Sequence, residues 1–144
     1  MAVTVKKIAL WRNEVRHEAG VLADVLEPLT AAGVNLRVLS GYAFPGDSGQ
    51  GAIEIFPVSG KRATAAAKRA GFTPSSIACL LVDGDDRPGL GGRMARALAD
   101  AGINISFVMA TTVGRKFTAV FGFEDERDAA GAARAIKAAA KARR

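Results

Sequence analysis

The chain has one cysteine and one histidine, and these two scarcities exclude whole classes of chemistry. Cys79 has no partner for an internal disulfide. It lies in the apolar run from Ile77 to Val82, which points to a buried free thiol in a reducing cytoplasm. With His17 alone there is no ligand set for zinc, and a nucleophile–base pair has only that one imidazole to draw on. Asp83, Asp85 and Asp86 lack the spacing of a calcium loop and its distal glutamate, so no metal is expected there either. Long apolar runs are also missing, since a membrane helix needs about 20 such residues. The segment Met1 to Leu10 sets Lys6 and Lys7 in an alternating run, without the apolar core and cleavage site of a signal peptide. The expectation is a cytoplasmic protein that is no enzyme, holds no cofactor and touches no membrane.

Charge narrows the partners. The net charge is +6 and the sequence pI is near 10.0, a balance that invites a nucleic-acid reading. Its distribution argues against one: residues 1–72 hold nine Lys and Arg against six Asp and Glu, and residues 73–144 hold eleven against eight. The one local concentration, Arg134, Lys137, Lys141 and Arg144, follows helical spacing and is read as a solvated face.

What the sequence does contain is itself, twice. A shift of 69 places Ile8-Ala9 on Ile77-Ala78, Gly20-Val21 on Gly89-Leu90, and Ala32-Gly33-Val34-Asn35-Leu36 on Ala101-Gly102-Ile103-Asn104-Ile105. The register slips after about position 40, because the loop from Phe44 to Gly51 is longer than its counterpart around Gly114 to Lys116. Thr73-Pro74-Ser75-Ser76 reads as a connector, which divides the chain into repeats 1–74 and 75–144.

Each repeat reads as strand, helix, strand, strand, helix. The first strands are expected at Val5 to Trp11 and Ile77 to Val82. Helical stripes begin after Gly20 and Gly89 and close at Gly33 and Gly102. Pro28 should kink the first of them, because it removes a hydrogen bond to residue 24. Hairpins follow at Leu36 to Tyr42 with Ala52 to Phe56, and at Ile105 to Thr111 with Phe117 to Phe123. Alanine-rich helices end each repeat, near Lys61 to Ala70 and Arg127 to Lys141. The order is that of ferredoxin-like α+β units, antiparallel sheets with helices on one face. Two departures stand out. Ile77 to Val82 and Phe117 to Phe123 are apolar on both faces, so something must cover the second face. The second repeat also ends without a closing strand, a gap that the N-terminal segment from Val3 is long enough to fill.

The loop Asp83-Gly84-Asp85-Asp86-Arg87-Pro88-Gly89-Leu90-Gly91-Gly92 carries the chemistry. A helix start offers free N–H groups and a positive dipole end for a carboxylate, glycines allow close approach, and Asp86 can receive an ammonium group. Asn104 has an amide that both donates and accepts. Asn35 and Asn104 can equally serve the turns after their glycines. The run Gly89-x-Gly91 lacks the third small residue of a dinucleotide loop, because Met94 stands there.

Asp86-Arg87-Pro88-Gly89-Leu90, followed by Ala101-Gly102-Ile103-Asn104-Ile105, resembles the signature of ACT domains. The resemblance implies a tandem pair of regulatory modules binding a small molecule, an amino acid, at domain interfaces, as a homodimer acting on a regulated enzyme or protein partner. It implies ligand contacts from Asp86, Arg87, Gly89, Leu90, Gly91 and Asn104 in the second repeat. In the first they come from His17, Gly20 and Asn35, although Val15-Arg16-His17-Glu18-Ala19-Gly20 lacks the Arg-Pro pair. The rival reading is a protein-binding or RNA-binding module without a small-molecule ligand. Arg115-Lys116-Phe117-Thr118-Ala119-Val120-Phe121-Gly122-Phe123 partly matches the aromatic strand of RNA-recognition modules, but Ile77 to Val82 has no aromatic to stack on a base.

Overall fold

The computed structural model describes residues 3–46 and 48–142. The chain forms two compact units, Ala9–Ser75 and a second built from the chain before Ala9 together with that from Ser76 onward. The first holds β2 (Trp11–Arg16), α1 (Val21–Ala31), β3 (Val38–Ala43), β4 (Gln50–Phe56), α2 (Lys61–Ala70) and the short β5 (Thr73–Pro74). The second holds β1 (Thr4–Ile8), β6 (Ala78–Asp85), α3 (Leu90–Asp100), β7 (Phe107–Val113), β8 (Lys116–Phe123) and α4 (Glu126–Lys141). Each sheet has four strands, in the orders β3-β4-β2-β5 and β7-β8-β6-β1, and every neighbouring pair is antiparallel.

The two sheets superpose in plan, with β5 and β1 in the same edge position. The closing strand missing after α4 is supplied by β1, whose Thr4 to Ile8 pair with Asp83 to Cys79 of β6. The compact units therefore do not coincide with a cut in chain order at 74/75, because backbone hydrogen bonds assign β1 to the later sheet. The stretch from Val5 to Trp11 is correspondingly not one strand. It breaks after Ile8, and a fresh strand begins at Trp11 in the other sheet. The polar look of Trp11-Arg12-Asn13-Glu14 hid β2, yet two of those polar residues are held by partners. Asn13 is buried and donates from Nδ2 to the Ala70 carbonyl at 2.9 Å, where α2 has run out of intrahelical donors. Arg12 lies beside Glu54 in the ladder and donates from Nη1 to the Tyr42 hydroxyl at 3.0 Å.

Helices form for local reasons. Asp125 caps α4 by accepting the Asp128 N–H at 2.8 Å, Glu126 and Asp128 sit in its first turn, and Lys141 in its last, so charges oppose the dipole at both ends. Ala129, Ala132, Ile136 and Ala140 make its buried stripe. On α3 the stripe is Leu90, Met94 and Leu98. After α1 and α3 the chain closes alike: Val34 donates to Leu29 and Ile103 to Leu98, both at 3.0 Å, across Gly33 and Gly102. Pro28 does not end α1, which continues to Ala31.

The core of the second unit sets Leu80, Val82, Phe121 and Phe123 of the sheet against Leu90, Met94, Leu98 and Ile136 of the helices. Each such side chain, fully buried, contributes about 1.5–3 kcal/mol. In the first unit Ile53 and Ile55 meet Val25, Leu29, Ala66 and Phe72 in the same arrangement. The alternate residues Cys79, Leu81 and Val120 are buried as well, which explains the lack of alternation along β6 and β8. Because Phe121 and Phe123 turn towards the helices and are buried, the aromatic strand offers them to no base. On α4, Arg134, Lys137 and Lys141 are exposed, the solvated face their spacing implied, while Arg144 lies outside the described residues. Among the described residues no helix is long and apolar enough to cross a membrane.

Candidate functional site

The loop leaving β6 is pinned before it enters α3. The Asp86 N–H donates to the Arg115 carbonyl at 2.8 Å, which ties the loop to the β7–β8 turn. Asp85 pairs with Lys116, whose hydrogen bond and charge hold the Asp85 carboxyl below the usual carboxylate range. Thr118 Oγ1 donates to Asp83 at 2.7 Å. Two of the three loop carboxylates are thus engaged with the sheet. The third, Asp86, is exposed and has no ion-pair partner among the described residues.

Gly89 then turns the chain at φ 81°, a conformation costly to a residue with a Cβ, and α3 starts without a side-chain cap or an acidic residue in its first turn. A Cβ placed on Gly91 or Gly92 would meet nothing within 4 Å, so the first turn of the helix is open on its outer side. Beside it lies a cavity of about 390 Å³, between α3 and the β7–β8 hairpin. Asp86, Leu90 and Gly91 form one wall, Met94, Phe117 and Phe121 the floor, and Val108, Ala110 and Thr112 of the edge strand the opposite wall.

The first unit repeats this construction. His17 donates its N–H to the Gly49 carbonyl at 2.8 Å, Gly20 turns at φ 92°, and α1 begins without a side-chain cap. A cavity of about 310 Å³ lies between α1 and β3–β4, lined by His17, Val21, Leu22, Tyr42, Gly51 and Ile53 among others. Leu22 takes the place of Gly91, and Gly51 that of Phe117.

Of the residues expected to bind a ligand, Asp86, Leu90 and Gly91 line one cavity and His17 lines its counterpart. Gly89 and Gly20 shape the turns behind them. Arg87 points elsewhere, donating to the Ala140 carbonyl at 2.7 Å. Asn104 is exposed and follows the far end of α3. The helix of 11 residues separating it from Asp86 spans roughly 16 Å. A recess shared by Asp86 and Asn104 is therefore not formed within one unit, because the asparagine belongs to the turn after the helix and not to its start. Asn35 likewise lies beyond α1, in a separate hollow with Ser59 and Lys61 at the start of α2. The cavity floor escaped the sequence reading. Met94, Phe117 and Phe121 present the pattern of ordinary core, and only the hairpin's position against α3 opens a space above them. Among the described residues no three of His, Cys, Asp and Glu gather as metal ligands would.

Two four-stranded antiparallel sheets, each backed by two helices and each with a hollow at the start of its first helix, define a tandem of α+β ferredoxin-like folds. The second unit matches the ACT domain family over residues 80–142, and with its first unit on the same plan the chain is a tandem of two ACT-like units. Among solved structures it is similar to a protein of Bacteroides thetaiotaomicron, with TM-score 0.72 and 15% identity over 90% of this chain and 88% of that one. It is also similar to the regulatory subunit of aspartate kinase from Thermus thermophilus in its ligand-free form, with TM-score 0.64 and 20% identity over 96% and 97%. The regulatory subunit of aspartate kinase from Thermus flavus gives TM-score 0.61 and 19% identity over 98% of both chains. At such identities the likeness is one of fold. No curated protein sequence matches significantly.

Proposed function

We propose that this protein is a non-catalytic regulatory sensor that binds an amino acid and passes the signal to an associated enzyme or protein partner. The observation that carries the reading is the hollow at the start of α3. It sets a carboxylate with no ion-pair partner among the described residues, an uncapped helix start and an apolar floor around a space of ligand size. An α-amino acid supplies an ammonium group for Asp86, a carboxylate for the open N–H groups of the first turn, and a side chain for the floor. The relatives of like fold that are regulatory subunits of aspartate kinase support the same role.

Assembly as a homodimer belongs to this reading. β3 and β7 are the outer strands of their sheets, and Leu39, Tyr42, Val108, Met109 and Val113 along them are exposed. An unpaired strand edge carrying apolar side chains is a template for a second copy. A ligand held beside that edge then shifts the assembly by its differential affinity for the paired and unpaired states.

The test is a thermal-shift screen of the whole chain against the common amino acids, with the molar mass in solution measured alongside. At 100 times its dissociation constant a ligand bound only by the folded form should raise Tm by about 5–10 °C. A melting point indifferent to every amino acid would remove the sensor reading.

A further inference from the structure

The two hollows occupy the same place in their units, yet their linings differ in charge and in depth, and this contrast limits what each can hold. In the second unit Asp86 is the sole charged residue of the lining. The floor is apolar throughout, with Leu90 3%, Met94 2% and Phe121 6% exposed. A lysine or arginine side chain laid there would lose its hydration without meeting a second carboxylate. An aspartate or glutamate side chain would be desolvated close to Asp86 itself. An aliphatic or thioether side chain incurs neither cost and covers apolar surface.

In the first unit the lining charge has the opposite sign: it is that of Arg16, and none of the lining residues is acidic. An ammonium group would find no acceptor carboxylate there. Leu22, 44% exposed, projects where Gly91 leaves the helix turn bare, and the hollow is smaller, about 310 against 390 Å³.

We infer that the ligand is an amino acid with an apolar side chain, of the size range from valine to phenylalanine, and that the hollow between α3 and the β7–β8 hairpin binds it, one molecule per chain. The inference rests on the sensor reading above and adds the side-chain class, the unit and the stoichiometry.

Titration calorimetry on the whole chain tests it, with leucine, isoleucine, methionine and phenylalanine set against lysine, aspartate and threonine. An apolar member should bind with a stoichiometry of one per chain and at least about tenfold more tightly than any of the other three. Asp86→Asn should weaken that binding by about tenfold or more, since it removes a charge-assisted hydrogen bond. Ala95→Leu, at an exposed position on the cavity wall, should fill the space and abolish binding while the far-UV circular dichroism stays that of the parent. His17→Ala, in the other unit, should leave the affinity within about twofold, the scatter expected of a change that removes none of the ligand's contacts. Lysine, aspartate or threonine binding in preference overturns the side-chain class and leaves the sensor reading standing. Two molecules per chain, or binding lost in His17→Ala and kept in Asp86→Asn, overturns the assignment to the second unit. No binding by any of the seven removes this inference, and silence from the remaining amino acids as well removes the sensor reading. Disruption of a dimer by Ala95→Leu, with no amino acid having bound, would make the hollow a seat for a second copy of this chain.

Discussion

Arg87 and Ala140 lie 53 positions apart, and a guanidinium nitrogen of the first donates to the backbone carbonyl of the second at 2.7 Å. The contact joins the loop that carries Asp86 to the last turn of α4, where carbonyls have no intrahelical donor and the dipole is negative. Arg87 thereby ties the loop that carries Asp86 to the end of α4. Arg87→Ala should cost about 1–2 kcal/mol in urea denaturation and speed amide exchange in the last turn of α4. Unchanged exchange at Ala140 and its neighbours would contradict that tie.

Gly122 of β8 leaves no room for a side chain. A Cβ there would fall 2.3 Å from the Phe107 ring and 2.8 Å from the Ile77 side chain. Gly122→Ala should destabilise the protein by about 1–3 kcal/mol through this crowding. Since Phe107 begins the edge strand, the damage should appear as early exchange of β7 amides. A neutral Gly122→Ala variant would mean that the ring moves aside freely.

β1 closes the second sheet, with Ile8 buried and Val3 and Val5 packed against the core. Removing residues 1–8 should lower stability by at least about 2 kcal/mol and expose the β6 edge. Exchange should quicken at the β6 amides that bond to β1, and those of β2 should be spared. Uniform loss across both sheets would count against the pairing being local.

The Lys116 hydrogen bond, and then its charge, hold Asp85 below the ordinary carboxylate range. A carboxyl whose folded value lies below its unfolded one adds stability at pH above the unfolded value. That stability is lost as the pH falls through the folded value. Lys116→Met should return the Asp85 titration, followed by carboxyl NMR, to the ordinary range and should soften the acid limb of the stability curve. Because Asp85 is on the surface, the change should also shrink in high salt. A titration unaltered by the substitution would show that another group is responsible.

Much of the fold was legible because repetition amplifies weak signals. The helices over 61–70 and 126–141, both hairpins and the glycine-closed turns after α1 and α3 all follow from spacing and from the shift of 69. β2 was not legible, because Arg12, Asn13 and Glu14 look solvent-facing until Ala70, Tyr42 and Glu54 are seen to receive two of them. The shift itself contained the answer, since it lays residues 11–16 on the interior of β6. Pro28 stands inside α1, which runs on to Ala31 with Val25 and Leu29 packed on the sheet. Loop chemistry singled out Asp86 and Gly91, and both line the cavity at the start of α3. Asn104 stands where its place after Gly102 puts it, beyond the end of α3, and the 11-residue helix between it and Asp86 sets the two apart.

The exchange of an edge strand has a consequence for the order in which the molecule is made. As the polypeptide leaves the ribosome, β1 emerges ahead of the whole intervening unit, and its partner β6 only after that unit has been synthesised. The intervening sheet can close on its own during translation, whereas the other has to recover a segment made before it. A gene fragment starting at the connector would encode a sheet with a bare rim, so the duplication cannot be divided into two free-standing halves at the place where the sequence pattern changes.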